Sequence, residues 1–151
     1  MLSNVDIENI CSDLKLPCVG VFSKNRMPTH HQVGSYYINL QDEEDGNGTH
    51  WAMCKIFKNG KAIYFDSFGF QLPEDIKEFL KPFRPIPYNN RQIQDVGSSF
   101  CGWYCISCDY FFTHHAKGRD IEEDYDDFLN LFSINKKTND KIAIELLDKG
   151  N

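Results

Sequence analysis

Several things are missing from this 151-residue chain, and each absence removes a class of protein. No apolar run approaches the roughly 20 residues of a membrane-spanning helix, so no span is expected. Basic residues are the minority, with 16 Lys and Arg against 22 Asp and Glu and a formal net charge of −6. A general nucleic-acid surface normally carries a basic stripe, and this balance argues against one. The amino terminus, Met1-Leu-Ser-Asn-Val-Asp6, has neither the charged nor the apolar region of a secretory signal, so secretion is not expected. There is no repeat, no low-complexity linker and no composition shift, which leaves residues 1–151 as a single domain.

What is present is material for a core. Hydrophobic residues make up 41% and aromatics 14%, with 12 Phe among them. A chain of this length buries about two-thirds of its unfolded surface, enough to fold without covalent staples. The six cysteines are therefore expected as reduced thiols in an intracellular setting, the more so because Cys101, Cys105 and Cys108 crowd together.

The pattern of residues predicts an α+β fold. Ser3 and Asn4 can cap a short helix with Ile7, Ile10, Cys11 and Leu14 on one face, stopped before Pro17. An irregular stretch punctuated by Gly20, Pro28 and Gly34 follows. Strands are expected over residues 35–40, 51–57 and 61–66, with a polar acidic turn from Asp42 to Gly48. Asn59-Gly60 is a hairpin signal, because both residues tolerate positive φ. This hairpin sets the strand that begins beside His50 next to the strand that ends at Asp66. A helix over 73–80, a short strand near 91–94 and helices over 101–115, 121–131 and about 140–147 complete the order. The expected architecture is an antiparallel or mixed central sheet packed against a buried helix that starts at Cys101, with further helices around it.

Four residues carry the chemistry. Cys101 is the only cysteine preceded by a turn that can expose it (Gly97, Ser98, Ser99), and Gly102 follows. Opening a helix, its sulfur meets the positive end of the helix dipole, which favours a thiolate. His50, just before a strand, is placed as a base, and Asp66 as the carboxylate that accepts from imidazole Nδ1–H and fixes the ring. Gln94 can donate to an oxyanion together with the Cys101 N–H. Each has a plainer reading: a buried small hydrophobe for Cys101, a surface or core histidine for His50, a turn cap for Asp66. Zinc held by Cys101, Cys105, Cys108 and His114 or His115 is a further alternative, though one helix cannot easily aim three thiolates at one metal. His30-His31 lies in an irregular loop. His114-His115 sits three to four helical turns from Cys101, roughly 20 Å away, too far to serve as base. In papain-like enzymes the cysteine comes first. Here the order is His50, Asp66, Gln94, Cys101, and that reading fails.

The same order and its local words resemble the adenovirus-type cysteine proteases (adenain) and their relatives in the ubiquitin-like-protease clan. The matching words are Val19-Gly-Val-Phe-Ser-Lys-Asn-Arg-Met-Pro28, Gly48-Thr-His-Trp51, Tyr64-Phe-Asp-Ser-Phe-Gly-Phe70 and Gln94-Asp-Val-Gly-Ser-Ser-Phe-Cys-Gly102, so the resemblance spans residues 1–115. It is nearest to the proteases of virophages and Polinton-type mobile elements. By carry-over, Cys101 is the nucleophile, His50 the general base, Asp66 its orienter and Gln94 part of the oxyanion hole. Gly48 and Trp51 become candidates for substrate contact, with Trp51 as a cleft wall unless it simply packs in the core. The implied activity is cleavage of viral or virus-like capsid and core precursors at small-residue, glycine-containing sites during particle maturation, in a virion or an intracellular viral factory. No metal or cofactor is called for, and the partners are polypeptide substrates, with no membrane. Asp66 replaces the adenoviral glutamate. The segment Pro82 to Asn90 has no cysteine to join an activating peptide, so neither an activating peptide nor nucleic acid is evident as a partner. Two other readings share the fold: an isopeptidase for ubiquitin-like modifiers, and a catalytically silent binding protein. The acidic run Glu122 to Asp127 is expected to be a solvated helix face.

Overall fold

The computed structural model of the protein describes residues 1–41 and 50–148. Among them are five α-helices and four strands in the order α1 (Asn4–Asp13), β1 (Cys18–Ser23), β2 (Gly34–Asn39), β3 (Trp51–Ile56), β4 (Ala62–Phe65), α2 (Glu74–Phe79), α3 (Cys101–His114), α4 (Ile121–Leu129), α5 (Asn139–Asp148). The strands form one mixed sheet in the order β1-β2-β3-β4, with β1 parallel to β2 and the remaining pairs antiparallel. This is an α+β architecture.

Both faces of the sheet are covered, and strand parity decides which residue goes where. Tyr37, Trp51, Met53, Ile63 and Phe65 face a large core shared with α1, α3, α4 and α5. Tyr36, Ile38, Ala52, Cys54, Ala62 and Tyr64 face a second core closed by Ile76, Phe79 and Leu80. Strands covered on both sides read as continuous apolar runs, and every residue of β3 is buried. α3 is apolar on all sides for the same reason: eleven of its residues, from Cys101 to Phe112, are buried.

Local chemistry explains the boundaries. Ser3 caps α1 in a reciprocal box, its Oγ accepting from Asp6 N–H at 3.1 Å while Asp6 accepts from Ser3 N–H at 2.8 Å. The β3–β4 hairpin closes with Phe57 N–H on Lys61 C=O at 2.9 Å, and Gly60 has φ +82. The turn is thus a three-residue loop with only its glycine left-handed, and Asn59 serves instead by accepting from Lys61 N–H at 3.0 Å.

Three expectations change. The stretch expected to be irregular contains β1, an edge strand of half-buried residues whose pairing is irregular between Cys18 and Gly20. A half-buried edge strand interrupted by glycine shows no alternation to read. The strand expected near 91–94 is absent: Ile93 and Gln94 N–H both donate to the single carbonyl of Ser67, at 2.9 and 3.1 Å, so no ladder forms. The acidic run is not wholly solvated, because Asp124 is buried within 3.7 Å of Arg119 Nε. The acidic turn expected at 42–48 lies outside the described residues. No described helix is long and apolar enough to cross a membrane.

Candidate active site

The β3–β4 register brings the acid to the base. Met53 pairs with Phe65, so Asp66, the next residue after β4, falls opposite Ala52, two residues from His50 and within reach of its imidazole. Asp66 is completely buried, and its backbone is gripped on both sides by Asn89, which accepts from Asp66 N–H at 3.2 Å and donates to Asp66 C=O at 2.6 Å. Its Oδ1 accepts from His50 Nε2 at 2.7 Å and from Phe68 N–H at 2.9 Å. The Phe68 ring then stacks on the imidazole at 4.8 Å between centroids. Oδ2 is buried with no partner among the described residues.

The histidine is turned the opposite way from the sequence expectation. Nε2, not Nδ1, meets the carboxylate, which leaves Nδ1 as the ring nitrogen for the sulfur. Burial disfavours the charged form of the imidazole, yet the bond to Asp66 and the neighbouring Cys101 thiol outweigh this and raise His50 to about 9.

Cys101 opens α3, whose preceding residue, Phe100, supplies no side-chain cap. The first N–H groups of the helix are therefore left to face whatever binds beside the sulfur. Sγ accepts from the main-chain N–H of Trp51 at 3.4 Å, so the residue after His50 also touches the Cys101 sulfur. Cys101 is itself 1% exposed and packs into the main core, so the turn before it does not expose the thiol as the sequence suggested. Cys105 and Cys108 are fully buried, and burial pushes both well up from the ordinary thiol range.

Gln94 is 1% exposed and held at both ends of its amide. Its Oε1 accepts from Ser67 Oγ, and its Nε2 donates to Ser98 C=O at 3.0 Å and to Ser98 Oγ at 3.3 Å. The hydroxyl next to Asp66 thus decides which way the Gln94 amide faces, towards the turn that leads into Cys101. Trp51 is 2% exposed and packs in the core, its indole N–H donated to Leu2 C=O at 3.0 Å. This corrects the expectation of a cleft wall: the indole ties the chain's first residues to the site. Gly48 lies outside the described residues.

Comparison with known proteins adds little. The chain matches no protein-family model and no curated protein. Among solved structures it is similar to selenomethionine ASFV pS273R protease, with a TM-score of 0.35 and 21% identity over 66% of this chain and 44% of that one. It therefore spans less than half the length of that protease. A likeness this distant bears on neither chemistry nor substrate, which rest on the geometry above.

Ser67 and Asn89 take part in the site without having been singled out from sequence, and Ser98, named there only as part of the turn before Cys101, holds the Gln94 amide. Ser67 could have been noticed as the neighbour of Asp66 in a strand-ending polar pair. Asn89 had no signal, because its role depends on where the proline-rich segment returns. Two surface cavities, of about 650 Å³ beside Met27 and Phe79 and about 540 Å³ beside Arg91 and Ile134, are lined by none of His50, Asp66 and Cys101. Among the described residues no cluster of three or more His, Cys, Asp or Glu side chains converges as a metal site.

Proposed function

We propose that this chain is a cysteine endopeptidase acting through Cys101, His50 and Asp66. The observation that carries the reading is the convergence of three distant residues: His50 bonded to a buried carboxylate at 2.7 Å, and beside it the Cys101 thiol at a helix N-terminus, which accepts from the N–H of the residue after His50 and favours the charged imidazole. A merely buried cysteine needs neither an imidazole nor a helix end, and a silent scaffold has no use for a carboxylate buried behind a histidine.

In the proposed reaction His50 Nδ1 takes the thiol proton and Sγ attacks the scissile carbonyl. The imidazolium that results is held by Asp66, which fixes the ring through Nε2 and compensates its charge. Negative charge developing on the carbonyl oxygen meets the N–H groups opening α3 and one N–H of Gln94. The 3.3 Å bond from Gln94 to Ser98 Oγ is the weaker of its two and the one readily exchanged for the oxyanion. His50 then protonates the leaving amine, and water hydrolyses the thioester.

The substrates proposed are capsid or core precursors of a virus or virus-like element, cut at glycine-containing sites during particle maturation in a virion or viral factory. This finer reading is supported by the resemblance of the His50, Asp66 and Gln94–Cys101 words to the adenain group. The test is cleavage-site mapping by mass spectrometry on capsid precursors and on short glycine-containing peptides, with Cys101→Ala as control. Cuts next to glycine that vanish in the variant are expected. Cuts that persist in Cys101→Ala would remove the mechanism, and processing of a modifier precursor in preference to the capsid proteins would shift the substrate class.

A further inference from the structure

Residues 95–100 join Gln94 to Cys101, and their conformation decides where the oxyanion donors point. Ser98 is the hub of this turn. Its Oγ accepts from Phe100 N–H at 3.1 Å and from Gln94 Nε2 at 3.3 Å. A hydroxyl has two lone pairs and one proton. With both lone pairs engaged, the proton goes to the carboxylate of Asp140, whose two oxygens each lie 2.9 Å from Ser98 Oγ.

Asp140 also accepts from the phenol of Tyr104, at 2.8 Å. Tyr104 lies one turn into α3 from Cys101 and is completely buried. Burial and then the Asp140 bond push its phenol well above the ordinary range, so it is a donor at every working pH. One carboxylate on α5 thus bridges the turn before the nucleophile and the helix after it. The preceding residue, Asn139, adds a second grip, donating at 2.8 Å to the carbonyl of Ile93, just before Gln94.

We infer that Asp140 is a positioning residue for the oxyanion hole, holding Ser98 so that the Gln94 amide and the first turn of α3 converge on one point. The inference rests on the peptidase reading and assigns a role to the C-terminal helix, which lies outside the region of family resemblance. Asp140 touches no reacting atom. It acts through Ser98, which it anchors so that Ser98 C=O holds Gln94 Nε2 at 3.0 Å and the amide's second N–H, on Oγ at 3.3 Å, stays aimed where the oxyanion forms.

The test compares Asp140→Ala, Asp140→Asn and Ser98→Ala in the full chain by three readouts. These are kcat and KM on a cleaved peptide, the affinity of a peptide aldehyde, and the rate and pH profile of Cys101 alkylation by iodoacetamide. An aldehyde forms a tetrahedral adduct with an oxyanion, whereas alkylation forms none. Asp140→Ala is expected to lower kcat by about 10- to 100-fold with KM within about twofold, the range for a displaced but intact catalytic group. Aldehyde affinity should fall in proportion, and the alkylation rate and pH profile should not move. Asp140→Asn, which keeps one acceptor oxygen for Ser98, should recover part of the loss. Ser98→Ala should repeat the pattern if Asp140→Ala folds poorly. An unchanged kcat in both alanine variants, or a kcat and alkylation rate that fall together, overturns the inference alone. A wild-type chain that binds no peptide aldehyde while Cys101 still alkylates sinks the peptidase reading, and the inference with it.

Discussion

Asp66 and Asp109 are both completely buried, and each faces a basic residue of the β3 segment. Asp109, on α3, meets Lys55 Nζ at 2.7 Å and also accepts from Ser35 Oγ at 2.6 Å and Tyr37 OH at 2.8 Å. Lys55 completes its three donors on Ser35 and Thr113, at 3.1 and 3.2 Å. Every site in this pair is filled, and the lysine side chain is 6% exposed. Asp66 is different: one oxygen holds His50 and Phe68 N–H, the other holds nothing among the described residues, and the imidazole is 18% exposed. The same helix–sheet interface thus carries one closed ion pair that fixes architecture and one open pair with a titratable partner beside a thiol. A closed network resists change, whereas an open one retains the capacity to accept a proton or a charge.

The largest expected effects cross between the two. Cys101→Ala should reduce turnover at least about 10³-fold, and Asp66→Ala by a comparable factor, with little loss of stability in urea titration for the cysteine variant. Asp109→Ala strands the Lys55 ammonium in the core and should cost about 3–5 kcal/mol of stability, with activity per folded molecule retained. Replacing both partners, Lys55→Met with Asp109→Leu, should return stability to within about 2 kcal/mol of wild type or above it. If Asp66→Ala proves as destabilising as Asp109→Ala and leaves turnover intact, the open pair is structural too.

These two pairs also show what sequence can disclose. β2, β3, β4, the hairpin and the helix opening at Cys101 follow from periodicity and turn chemistry, and the proposed triad follows from residue types at element ends. Lys55 and Asp109 were legible in principle. A lysine inside Trp51–Phe57 and an aspartate inside an all-apolar helix each need a partner, and strand parity puts Lys55 on the α3 face. The ring orientation of His50, the clamp of Asn89 and the reach of Asp140 were not legible, because each depends on chain segments that meet only in three dimensions. β1 escaped because an edge strand broken by Gly20 has no alternation. Trp51 misled because a large aromatic beside a histidine proposed as a base suits a core as well as a cleft.

Titration should separate the pairs next. His50 is raised to about 9 by partners it has only in the folded chain, against about 6.5 when unfolded. Below about pH 6.5 both states hold the proton and the stabilisation is fully present. Between there and 9 only the folded state holds it, so stability falls as pH rises and the contribution is gone once His50 loses its proton. The difference in stability between wild type and Asp66→Asn, followed from pH 6 to 10, should therefore shrink with rising pH. The difference between wild type and the Lys55→Met, Asp109→Leu double variant should show no step assignable to histidine. A flat Asp66→Asn difference would mean that the imidazole gains nothing from its carboxylate.

The smallest effects lie at two glycines, and they sharpen what "open" means at the site. Gly69 has φ +80, and a Cβ there would stand 2.6 Å from the backbone carbon of Arg91. Backbone cannot give way as a side chain can, and the left-handed conformation strains any other residue. Gly69→Ala should cost about 1–3 kcal/mol, and it should lower kcat by displacing the segment that carries Gln94. Gly102 follows Cys101 directly, and the nearest atoms a Cβ there would meet belong to Leu2, with Cδ1 at 3.0 Å, Cβ at 3.3 Å and Cγ at 3.4 Å. Leu2 lies ahead of α1 and its side-chain end can swing aside. In the first turn of a helix alanine also gains a part of the roughly 1 kcal/mol it has over glycine in a helix interior. Gly102→Ala should then be near neutral in stability, with kcat changed less than about threefold through the Leu2 contact with Trp51. A loss larger than that of Gly69→Ala would show that the first turn of α3 is as tightly closed as the Lys55–Asp109 pair.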